Sequence, residues 1–310
     1  MTSAYPKVVL FFIILIVLFI IFKYDILFSN SNISNVVKKQ SLMEKIEEVA
    51  DDYKEKAEDA YIDNVWKKTP GRNGKKVNIK KSYENMEEIG RFDEELLVFD
   101  YIEPEVSLED LPASPIYRGH PDKEMVAFII NVSWGTEYLP SILKTLNEHH
   151  VKATFFIEGQ WAKENNNTVN MIAEQGHLIG NHAFNHPDMA NMTSKQIKEQ
   201  ITKTNDILEA IIGDRPKWFA PPSGSFNDKV VQIAHEEGME TILWTVDTID
   251  WQNPSVSVMM NRVKDKIHPG ATILMHPTSS VAQGLDRLIT EIKQRDYRIH
   301  TIEELLDETR

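Results

Sequence analysis

Two histidines stand four residues apart in the run GHLIGNHAFNHPDM, as His182 and His186. A pair of neutral imidazoles on one loop is half of a divalent-metal site, and firm binding needs at least one further ligand. A third histidine, His276, follows the apolar run ILM and precedes Pro277. Asp250, in LWTVDTIDW, is a carboxylate that could brace such an imidazole and raise its basicity. Together these groups suit metal-assisted or acid–base hydrolysis. The chain has no cysteine, so thiol nucleophiles, disulfides and cysteine-held metals are excluded. Each residue also has a plainer reading: the pair hydrogen-bonded within its loop, and His276 as a packing residue held by Asp250. Glu137, Glu158 and Asp188 stand near these motifs and read as solvated or capping acids.

From about residue 123 the chain alternates strand-length apolar runs with helical patterns. The strand-like runs are 125–132, 153–157, 177–179, 218–219, 241–246, 271–275 and 298–301. Gly176, Gly213, Gly238 and Gly270 stand between a helical pattern and the next strand, as helix-ending residues. Continuous apolar strands, each followed by a helix, imply a parallel sheet covered by helices, and about seven repeats predict a closed or nearly closed β/α barrel. Chemistry in such barrels sits at the carboxyl ends of the strands. His182, His186, Asp250, His276 and the Ala220-Pro221-Pro222 turn all fall there, at one mouth. No G-x-G-x-x-G follows the first strand, which counts against a dinucleotide site.

The 310 residues carry a formal charge of −13 and no basic stripe, so nucleic acid is not an expected partner. Near the start, VVLFFIILIVLFIIF is unbroken hydrocarbon between Lys7 and Lys23. It rises roughly 22 Å as a helix, short of a core of about 30 Å, and Ile26, Leu27 and Phe28 make up the difference. No small-residue cleavage site follows, so the segment reads as an uncleaved anchor. The expected organisation is a cytoplasmic tail (1–7), a transmembrane anchor (8–28), a polar linker and stalk helix (29–60), a small α+β region (61–118) and the barrel (119–310). The stalk stripe of Leu42, Ile46, Val49 and Tyr53 is expected to pack on the segment after it.

The segments KATFFIEG, GHLIGNHAFNHPDM, WFAPPSGSFND, LWTVDTIDW and ILMHP resemble the polysaccharide deacetylase family, whose NodB homology domain is a distorted (β/α) barrel. VWKKTPGRNGKKV and LPASPIYRG extend the resemblance to the sporulation-associated deacetylase-like proteins of spore-forming Gram-positive bacteria. The resemblance implies hydrolysis of N-acetyl groups on cell-wall polysaccharide or peptidoglycan, assisted by a divalent metal, usually zinc. It implies His182 and His186 as metal ligands, His276 as general acid and Asp250 as the carboxylate supporting it. Trp251, Pro221 and Pro222 would line the substrate groove.

The first family motif, T-F-D-D-G, is broken. Read with two extra residues before Gly135, its catalytic-base aspartate becomes Asn131 and its metal-ligand aspartate becomes Val132. The arginine that orients the base becomes Ala220, and the Ser or Thr of H-[ST]-x-x-H becomes Ala183. An amide has no basic lone pair to take a proton, and losing a general base costs about 10²–10⁴-fold. Zinc, with two imidazoles alone, would be held weakly. Trp134 reads as a core aromatic. The reading that follows is a weak or silent deacetylase-family protein, placed outside the cell membrane on its single-pass anchor. Its alternative is a non-catalytic barrel binding glycan or a partner in sporulation or envelope biogenesis.

Overall fold

The computed structural model describes residues 15–24 and 39–309. Residues 15–24 are helical and exposed. Among the described residues no helix is long and apolar enough to cross a membrane. The rest of the anchor expected at 8–28, and the tail at 1–7, lie outside them.

The chain divides into two compact units. One comprises the chain up to Lys56 together with Gly74–Ile102; the other comprises Ala57–Asn73 and Glu103–Arg310. The region 61–118, read from sequence as one small unit, is therefore shared between them. In the first unit the stalk is helical over 39–50 and ends in a 3-10 turn, Asp51–Tyr53, rather than running on to 60. Its Leu42 and Ile46 bury against Val77, Tyr83 and Met86, which anchor an antiparallel pair, Gly74–Val77 with Phe99–Ile102, and the helix Ile79–Met86.

The second unit is the barrel. Its strands are β1 (Met125–Val132), β2 (Thr154–Ile157), β3 (Leu178–Asn181), β4 (Trp218–Phe219), β5 (Glu240–Thr241), β6 (Val246–Asp247), β7 (Thr272–Met275) and β8 (Arg298–His300). The sheet order is β6-β7-β1-β2-β3-β4-β5, all parallel, with β8 paired to the start of β1. One run of chain, residues 240–247, supplies both ends of that path, so the sheet curls back toward itself.

All eight residues of β1 are buried, because one face meets the barrel interior and the other a layer of helices. The alternation is strict. Ala127 and Ile129 join the inner cluster with Phe156, Ala220, Ile242 and Leu274. Val126, Phe128, Ile130 and Val132 join the outer cluster, under residues of α1 (Leu139–Glu148) and α7 (Ser279–Lys293). The short helix α8 (Ile302–Leu306) plugs the amino-terminal end of the barrel, with Ile302, Leu305 and Leu306 in the inner cluster. Lys123 holds its last carbonyls, Nζ donating to Glu304 O at 2.7 Å and Asp307 O at 2.6 Å. The opposite end, where the strands finish, is left for chemistry.

Candidate active site at the barrel mouth

His182 follows β3 directly. Its Nδ1–H donates to the Ala220 carbonyl at 2.7 Å, which leaves the Nε2 lone pair free. Burial, then the neighbouring His186, push its pKa down to about 3. Burial also lowers His186. The two rings lie 5.2 Å apart at 70°. Both are neutral at ordinary pH, the state a metal ligand needs.

The loop that carries them is bent at Ala183 (φ 59°) and His186 (φ 54°), a backbone region few side chains favour. Asn181 supports the bend: its Oδ1 accepts from Ala183 N at 2.8 Å, and its Nδ2 donates to Asn205 Oδ1 at 2.7 Å and Ile201 O at 2.9 Å. Gln200 Oε1 accepts from Phe184 N at 2.8 Å. Two amides outside the family motif, Asn181 and Gln200, thus brace the loop where Ala183 carries no hydroxyl. A buried Asn just before a strand-end histidine was the available signal.

The acid half is fully built. His276 Nδ1 meets Asp250 Oδ1 at 3.0 Å, and His276 N donates to Oδ2 at 2.9 Å. Thr248 donates to Oδ1 at 2.8 Å and Thr278 to Oδ2 at 2.9 Å. Burial alone would raise the Asp250 carboxyl; the hydrogen bonds, led by His276, outweigh it and hold the group below its ordinary range. The carboxylate accepts from Nδ1–H, so Nε2 of His276 is the nitrogen left for chemistry.

The other half differs from the motif reading. Val132 lies wholly in the outer apolar cluster, so no ligand at that position could reach the mouth. Gly135 fixes the end of the motif: its φ is 77°, and a Cβ there would sit 2.0 Å from the Pro277 carbonyl oxygen. Counting back from it without insertion, T-F-D-D-G falls on Asn131, Val132, Ser133, Trp134 and Gly135. Asn131 then matches the inward threonine and Val132 the outward phenylalanine, as the strand's alternation requires. In that register the family's base aspartate falls at Ser133 rather than Asn131, and its metal-ligand aspartate at Trp134 rather than Val132.

Trp134 is no core aromatic. It is 45% exposed, and its indole stacks on His276 with centroids 6.0 Å apart and planes 9° from parallel. Trp251, next to Asp250, is 52% exposed. Ala220 packs its methyl in the inner cluster, and Pro222 is buried beside it, with Pro221 leading into the turn. Asn131 continues the inner face of β1 and is 4% exposed; its Oδ1 is buried without a hydrogen-bond partner.

Among the described residues no acid joins His182 and His186 in a group of three metal donors. Among the described residues one group brings three histidine or carboxylate donors together: Glu58, His120 and Asp122, with none of the mouth residues in it. There, His120 Nδ1 accepts from Asp122 N at 3.2 Å and Nε2 faces Glu58 at 3.4 Å. A neutral ring with Nδ1 accepting carries its proton on Nε2, which suits a hydrogen bond to Glu58 rather than a metal. Glu158 follows β2; burial raises its carboxyl against a hydrogen bond from Ser133, and Asp188 is tied to Ser225 and Asn191. His276 forms no three-donor group with His182 and His186, so the mouth offers a metal two imidazoles, and an indole, which has no lone pair for a metal, stands where the third ligand would be. These residues do not fit a firmly held catalytic ion.

A family model described as polysaccharide deacetylase matches residues 118–242. The uncharacterized protein YlxY of Bacillus subtilis is 53% identical over 272 residues, 88% of this chain and 85% of that protein. A peptidoglycan-N-acetylglucosamine deacetylase of Bacillus cereus is 35% identical over 191 residues, 60% of this chain and 70% of that one. A solved CE4 family pseudoenzyme from Bacillus anthracis superposes with a TM-score of 0.83 at 50% identity, over 87% of this chain and 96% of that chain. A mutant of the same protein, described as having restored enzymatic activity, gives 0.83 at 49%, over 87% and 99%. The chain therefore belongs to the polysaccharide deacetylase family, as a member with a degenerate catalytic site.

Proposed function

We propose that this protein binds N-acetylated cell-wall glycan at the barrel mouth and hydrolyses it weakly or not at all. The observation that carries this is the split site: the acid pair His276–Asp250 is intact, while Ser133 and Trp134 stand at the base and metal-carboxylate positions. Hydrolysis of an amide needs an activated water, a stabilised oxyanion and a protonated leaving amine. Only the last has its residue in place. The His182–His186 pair would hold zinc or another divalent ion loosely, without a carboxylate to complete the site. The peptidoglycan deacetylases among the relatives supply the glycan class. Our reading of the apolar segment 8–28 puts the barrel outside the cell membrane, beside that glycan.

The test is acetate release from acetylated chitin oligosaccharides and peptidoglycan fragments, with and without added zinc, alongside direct binding. Binding without acetate release is the expected result. Zinc-dependent release by the wild-type protein, lost in His276→Ala, would establish a divergent enzyme instead.

A further inference from the structure

We infer that Trp134 is a stacking platform for a hexosamine ring, and that Asn131 receives the acetamido N–H of the same sugar, so that the mouth selects acetylated glycan without a metal. This rests on the glycan-binding reading above and assigns its recognition chemistry. The indole of Trp134 is backed by His276 on one face, near-parallel at 6.0 Å, and the residue keeps 45% of its surface exposed. A flat aromatic ring held in place by a second ring is prepaid in conformational entropy. Its exposed face suits the C–H face of a pyranose, as aromatic faces suit other apolar rings. Trp251, also exposed, stands beside the Asp250 that holds His276. The hydroxyls that rim a sugar are donors, and His182 Nε2 is an acceptor, because its Nδ1–H is committed to Ala220.

The second observation is independent. Asn131 lies on the inward face at the carboxyl end of β1, nine-tenths buried, with Oδ1 lacking any donor. Buried acceptors are nearly always satisfied, so this orphan on the inner face, at the strand end nearest the histidine loop, marks a place for a donor. An acetamido group carries one N–H; a free amine would arrive as a cation. The −13 charge of the chain favours that cation at long range, so a preference for the acetylated sugar would run against the overall field.

The experiment titrates the full-length protein with an N-acetylglucosamine oligomer and the matching glucosamine oligomer, in chelator and at high salt, followed by calorimetry. The acetylated oligomer should bind about tenfold or more tighter. Trp134→Ala should lose about tenfold, the scale of one aromatic contact, and Trp134→Phe should keep most of the affinity. Asn131→Leu should abolish the acetyl preference without weakening the glucosamine oligomer. If Asn131→Leu does not fold, the Trp134 variants and the wild-type preference decide. Equal affinity for both oligomers, undiminished binding by Trp134→Ala, or a requirement for zinc would each overturn this inference and leave glycan binding standing. No binding of either oligomer by the wild type would overturn the functional reading itself.

Discussion

The position of the lost carboxylates can be decided by moving them. If the motif has no insertion, an aspartate at 132 enters the outer apolar layer and an aspartate at 134 enters the mouth. Val132 is wholly buried among Ile130, Leu139 and their neighbours. Val132→Asp forfeits about 1.5–3 kcal/mol of apolar burial and leaves a buried carboxyl that costs about 1–3 kcal/mol more. About 4 kcal/mol is a large share of a typical stability of about 5–15 kcal/mol, and corresponds to a fall in Tm of roughly 8–16 °C. Trp134 is half exposed, so Trp134→Asp gives up about 0.5–1.5 kcal/mol of stacking and only a few degrees. With His182 and His186 it completes three protein ligands, and zinc at about 100 times its Kd should return about 2.7 kcal/mol. Adding Ser133→Asp and Ala220→Arg supplies the base and its orienting charge. Ala220→Arg alone should destabilise, as an unpaired guanidinium in the inner cluster. The assay is a thermal melt with and without zinc, then acetate release. The reasoning is refuted if Val132→Asp melts like the wild type and, with Asn131→Asp, confers zinc-dependent stability and activity that the Ser133 and Trp134 pair does not.

Wild-type protein should surrender zinc to dialysis against chelator; one retained equivalent would reveal a third protein ligand, with Glu158 the first to test. Acid should destabilise the fold between about pH 6.5 and 4. Burial lowers His182 to about 3 and His177 to about 4, while both titrate near 6.5 when unfolded, so in that window the unfolded chain binds more protons. The slope from these two residues approaches about 2.7 kcal/mol per pH unit, and His177→Gln should remove about half of it in urea unfolding across a pH series. An unchanged slope would mean that His177 is not buried neutral. Protease added to intact protoplasts should remove the barrel domain if the 8–28 segment tethers it outside; full protection would exclude that topology.

The strand runs were legible because parallel strands buried on both faces read as unbroken apolar stretches. Residues 125–132 and 218–219 are β1 and β4 to the residue. The run at 241–246 was legible only in part, because it splits into two short strands on either side of a kink. Of the site, the histidines and Asp250 could be placed from their motifs, since each sits at a strand end. The first motif was misplaced by two residues, because a residue type does not say which way it points. Asn131 looked like a substitute for Asp by chemistry, and only the alternation of β1 shows that its neighbour Val132 faces the helices. Trp134 was missed for the same reason: a tryptophan beside an apolar strand is more often core, and its stacking on His276 depends on the loop that Gly135 pins against Pro277.

The survival of the acid half is no evidence of surviving catalysis. Asp250 is wholly buried and accepts from His276 Nδ1, His276 N, Thr248 and Thr278, while Thr278 also caps α7. Removing that carboxylate would leave four donors to find new partners at once, and each unpaired buried donor costs about 1–3 kcal/mol. The loop after β6 and the start of α7 are therefore built around Asp250 whatever the protein does. The base half has no such duty. A carboxylate at 133 or 134 would project from a loop into the mouth, and an arginine at 220 would exist to face it; without the first, the second is an unpaired charge in an apolar cluster. Loss of the base thus removes the reason for the arginine, and Ala220 closes the interior. The two halves of the site diverge because one is also a joint of the fold and the other is only chemistry.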